Sequence, residues 1–104
     1  MGNPFPNWFT LLLRVEEVRL DFIRTDLGVC STFADIVERE YTMGNWDHAE
    51  RTLAVTEKGY STVLRLLSQA RGLRIETEDE LQTTLKHLRE RLDRLKRKYC
   101  RSSD

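Results

Sequence analysis

Proline occurs only at positions 4 and 6, glycine five times and cysteine twice, and no apolar run approaches the length of a membrane span. So few breakers speak against a disordered or all-β chain and for a helical one. Cys30 and Cys100 are too few and too far apart for a disulfide framework, and they lack the paired spacing of a zinc site. Reduced thiols and a cytoplasmic location are the expectation, with Cys30 buried as a small apolar group. His48 and His87 are the only histidines, and neither stands in a recognisable ligand motif, so no metal site is expected. Glycine-rich phosphate loops are missing, and Ser31, Ser61 and Ser68 have no nucleophile-elbow setting. Glu16 with Glu17 and Glu38 with Glu40 are not spaced by three or four, so they form no paired carboxylate site on a helix. The chain reads as non-catalytic and free of cofactors. The apolar stretch from Trp8 to Leu13 is broken by Thr10, lacks a basic lead and runs into Arg14, Glu16 and Glu17, which does not fit a signal peptide.

What is present is charge and leucine. Charged residues make up 33% of the 104 residues and apolar ones 39%, enough for one domain over residues 1–104 with a modest core. Formal net charge is zero but unevenly spread: residues 86 to 101 hold eight basic side chains against Glu90 and Asp93. Basic residues at the end of a helix complement its dipole and can lie against acidic neighbours such as Glu38 and Glu40. The alternative is a contact for an acidic surface, nucleic acid or anionic lipid, through Arg91, Arg94 and Arg97. No aromatic residue interleaves with these cations before Tyr99, so there is no stacking platform for single strands.

Punctuation divides the chain into three helices. Asn3-Pro4-Phe5-Pro6-Asn7 is an extended lead-in, and Asn7 can cap the helix that begins after it. Trp8, Leu11, Leu12, Val15, Val18 and Phe22 fit a helical stripe, continued by Leu27, Cys30, Ala34, Val37 and Tyr41. The first helix thus lies within 8–43, and a bend or break between Thr25 and Gly28 is an open alternative to one continuous rod. Gly44 is placed to end it, and Asn45 can cap a second helix over 45–71. That helix presents Trp46, Ala49, Leu53, Tyr60, Val63, Leu64 and Leu67 on one side, and Val55, Gly59, Thr62 and Leu66 on another. Trp46 and Tyr60 are expected anchors, and Gly59 suggests close approach of a neighbouring backbone. Gly72 ends the second helix, and Thr77-Glu78-Asp79-Glu80 reads as a capping box starting a third over 78–100. Leu81, Leu85, Leu88, Leu92 and Leu95, followed by Tyr99, form a coiled-coil-like seam along it. The predicted fold is all-α, an antiparallel three-helix bundle.

Gly44-Asn45-Trp46-Asp47-His48-Ala49 resembles the hairpin of tetratricopeptide-repeat units and of the MIT (microtubule-interacting and trafficking) domain. The stretch from Leu85 to Lys96 is similar to the third helix of the MIT family, and the resemblance spans about residues 30–97. A single hairpin does not make a repeat array. The resemblance implies a three-helix domain that receives short helical peptides in an interhelical groove. Tyr41 and Leu53 depart from the pattern of that family, and the N-terminal 20 to 29 residues have no counterpart in it.

These features leave three function classes. The first is a protein-protein interaction module, because Phe5, Trp8, Phe9, Leu11, Leu12 and Leu13 exceed what one stripe can bury. On this reading residues 1–19 are a lid on the bundle or a contact arm, with Trp8, Phe9 and Leu12 as partner contacts. The second is a homo-oligomeric structural bundle protein, and the third an acidic-surface binder through the basic C-terminal helix.

Overall fold

The structure, a computed structural model, describes residues 7–99, leaving aside the side chains of residues 9, 10, 12 and 13. Three helices follow one another: α1 (Asn7–Thr42), α2 (Trp46–Gln69) and α3 (Ile75–Tyr99). Neighbours in sequence run antiparallel, so α1 and α3 run parallel. The bundle predicted from apolar periodicity is the fold observed.

α1 is continuous through Gly28, where no break occurs. One exposed glycine costs about 1 kcal/mol in a helix, and the apolar residues packed on either side of it outweigh that cost. Gly44 then closes α1 with φ +87. Its amide reaches Tyr41 O at 3.1 Å and that of Asn45 reaches Glu40 O at 2.8 Å, the paired bonds of a Schellman ending. Asn45 occupies the cap position of α2 but makes no side-chain capping bond. Its amide group donates instead to Glu40 Oε2 at 2.9 Å.

α3 starts earlier than the capping-box reading places it. The Glu78 amide donates to Arg74 O at 2.9 Å, so the first helical turn encloses Thr77, which cannot act as a cap from inside the helix. Glu76 and Glu78 in that turn favour the extension, since negative charge is stabilised at a helix N-terminus.

The core is a single stack of three stripes. From α1 come Ile23, Leu27, Cys30, Ala34, Val37 and Tyr41; from α2, Ala49, Leu53, Val63 and Leu67; from α3, the five leucines of the seam. Each leucine buried this way contributes about 2 kcal/mol relative to exposure. One end is locked by rings from all three helices. Tyr41 and Tyr99 stack at 4.7 Å, and Trp46 meets both edge-on.

Gly59 has a packing reason, although not a close backbone. A Cβ there would sit 2.9 Å from Cys30 Sγ, so the missing side chain makes room for a sulfur atom. The Cys30 thiol lies 3.9 Å from Thr56 O. Thr56, the buried polar residue of the core, donates its hydroxyl to Thr52 O at 2.8 Å.

Candidate functional site

The sequence stripe that opens α1 is not core. Trp8, Leu11, Val15, Val18 and Phe22 are 61%, 61%, 49%, 66% and 52% exposed, and Val29 continues the line at 42%. At 100° per residue this ridge lies roughly 100° around the helix from the Ile23–Tyr41 core stripe. α1 therefore carries two apolar faces, of which the bundle covers one.

The ridge extends beyond the bundle. Arg19 Nη1 donates to Gln69 O at 2.8 Å, and the Arg71 amide donates to Glu16 Oε2 at 3.2 Å. The end of α2 and the turn after it thus lie beside Glu16–Arg19. Residues 7–15 project past that level as an arm of about 13 Å at 1.5 Å per residue. Towards the other end the ridge leads into a groove of about 400 Å³ between α1 and α2, walled by Phe33, Ile36, His48, Arg51, Thr52 and Val55. Of the sequence-predicted partner contacts, Trp8 stands on this arm, while the side chains of Phe9 and Leu12 lie outside the described residues.

Three of the basic side chains of α3, Arg89, Arg91 and Lys96, are held by ion pairs to acidic residues. Arg89 grips Glu57 with two hydrogen bonds, Nη1 to Oε2 at 2.8 Å and Nη2 to Oε1 at 2.7 Å, and also bonds Asp93. Lys96 Nζ reaches the same Glu57 carboxylate at 2.6 Å, tying α2 to α3. The Arg89 hydrogen bonds, assisted by Lys96, pull the Glu57 carboxyl from its ordinary 4.5 down to about 2. The same pairing holds the Arg89 guanidinium still more firmly protonated. Tyr60 lies under the Arg89 guanidinium, 5.0 Å from carbon to ring centroid. Arg91 joins α3 to α1 through Asp35 and Glu38. Glu38 is thus a partner of the basic helix, but Glu40 faces the α1–α2 turn, near Asn45 and His48. Arg94 and Arg97 are exposed.

Burial, and secondarily Asp26, push the Cys30 thiol above its ordinary value, the opposite of an activated nucleophile. Among the described residues no group of three or more His, Cys, Asp or Glu could hold a metal ion. Among them, too, no helix is long and apolar enough to cross a membrane. A polar hollow at the α1–α2 turn, lined by Glu40, Trp46, Asp47, His48 and Arg51, is shallow and open. Neither a protein-family model, a curated protein nor a solved structure matches the chain.

Sequence reasoning set Trp8 and Leu11 apart as apolar surplus but ran Val15, Val18 and Phe22 into one stripe with the core residues Leu27 to Tyr41, whereas these three are exposed. It missed the Glu57 network, which depends on the register of α2 against α3 and has no signal in either segment alone.

Proposed function

We propose that the chain is a small non-catalytic helical protein-protein interaction module that offers the α1 ridge to a partner helix. The observation that carries this reading is the run from Leu11 to Phe22, four large apolar side chains each about half or more exposed on one helical line. Apolar contacts repeated at gaps of three and four are what a second helix recognises. The groove at Phe33, Ile36 and Val55 continues the same face, and the resemblance to the MIT family points to helix-in-groove binding as well. The acidic-surface reading has less support, because of its three residues Arg91 is held by Asp35 and Glu38, leaving only Arg94 and Arg97 exposed.

The test is the double substitution Val18→Glu with Phe22→Glu, compared with the native chain in dilute solution. Native chain that binds a hydrophobic dye, and a variant equally helical and equally stable that does not, support an open docking face. A variant that unfolds, or a native chain that binds no dye, would place the ridge inside the molecule's own fold and end the reading.

A further inference from the structure

We propose that the partner of the ridge is a second copy of this chain, with the two α1 helices antiparallel and each arm lying along the other copy's bundle. This rests on the interaction-module reading and supplies its occupant.

The spacing defines a heptad. Trp8, Val15, Phe22 and Val29 repeat every seven residues, and Leu11, Val18 and Thr25 form the companion series three residues on. Charged residues flank the seam on both sides: Arg14 and Asp21 on one, Arg19 and Asp26 on the other.

These charges choose the orientation. A parallel in-register pair would set Asp21 against the second copy's Asp26, and Arg14 against the second copy's Arg19, whose guanidinium is already bonded to Glu16 and Gln69 O. Two-fold symmetry doubles this to about four like-charge contacts. An antiparallel pair that layers Leu11 on the second copy's Phe22, and Val15 on its Val18, places Arg14 beside the second copy's Asp21 on both sides of the axis. Sliding that pair by one heptad brings Asp21 onto Asp21 and Arg19 onto Arg19. Of the three arrangements, only the antiparallel pair with Leu11 on Phe22 is free of like-charge pairs across the seam.

The shape of the chain selects the same register. Its two-fold axis falls between residues 16 and 17, where the turn after α2 meets α1 through the bond between Arg71 and Glu16. The two bundles then meet end to end, and each arm of residues 7–15 covers residues 18–26 of the other copy, ridge on ridge. The heptad-shifted alternative would drive the bundle ends past each other. Buried on both copies, ridge and flanks reach roughly 1,200 Å² in total, the lower end of stable interfaces.

Sedimentation equilibrium of the full chain over a range of concentrations tests this. The expected result is a monomer-dimer equilibrium that Arg14→Asp and Asp21→Arg each weaken about tenfold, since both symmetric pairs turn repulsive. Combining the two substitutions restores opposite charges and returns the affinity to within about threefold of native. All four residues involved in the two pairs are exposed, so the fold is unaffected. Tightening by either single substitution is the signature of the parallel pair and overturns the proposal, as does a dimer indifferent to both. A chain that stays monomeric overturns it as well. In that case dye binding lost on Val18→Glu leaves the ridge as a face for another partner, and absence of dye binding removes the interaction reading too.

Discussion

Replacing Glu57 by glutamine removes the charge on which Arg89 and Lys96 converge, and its consequence depends on pH in a definite sense. The folded carboxyl titrates at about 2 against an ordinary 4.5. Because the value is lowered on folding, the stability it contributes is fully present above about pH 4.5 and is lost as pH falls towards 2. A displacement of that size corresponds to about 3 kcal/mol. A quarter of the Glu57 side chain remains in water, and screening there reduces the net contribution to about 1–2 kcal/mol. For a domain of this length that lowers the melting temperature of Glu57→Gln by about 4–12 °C at neutral pH. Thermal unfolding followed by far-ultraviolet circular dichroism, repeated from neutral pH down to about 2, gives both curves. The native chain should lose its advantage over the variant across the acid range, and the two curves should converge at the bottom. Curves that run parallel over the whole range would refute the assignment of stabilising energy to this carboxylate.

The same packing fixes three further outcomes. Gly59→Ala should destabilise the native chain by about 1 kcal/mol or more, strain against Cys30 Sγ outweighing the helix propensity gained, yet stabilise a Cys30→Ala background; equal effects in both backgrounds in urea denaturation would show that the sulfur is not the obstacle. Leu92→Ala, at a fully buried seam position, should cost about 2–5 kcal/mol, measured the same way. Arg91→Ala should cost less than about 1 kcal/mol, because its pairs with Asp35 and Glu38 lie at the surface.

Much of this architecture is legible in the residues themselves. The leucine seam of α3 is unambiguous because its other faces are charged, so only one orientation buries carbon. Gly44 is equally legible, since a left-handed residue between two periodic segments ends a helix in few other ways. α1 is different. Ile23 to Tyr41 and Trp8 to Phe22 are both apolar lines at helical spacing, and periodicity alone does not say which of two such lines faces inward. The choice is made by α2 and the turn that leads into α3, which reach only as far as Glu16–Arg19 and cover one side. Thr77 shows a second limit: the hydroxyl and the glutamate three residues on satisfy the capping pattern, but the first turn begins before them. The ion pairs of Glu57, Arg89 and Lys96 depend on the relative register of two helices, a quantity no single segment contains. The same holds for Gly59, whose neighbour Cys30 is 29 positions away in the chain.

Side-chain footprinting with a carbene reagent, read residue by residue while the full chain is diluted, tests the two-faced α1 most directly. Leu88 and Leu92 should stay protected at every concentration, while Val18 and Phe22 should be labelled when dilute and become protected as concentration rises. Protection of Val18 and Phe22 that survives dilution, or labelling of the leucine seam in the native chain, would contradict a two-faced α1.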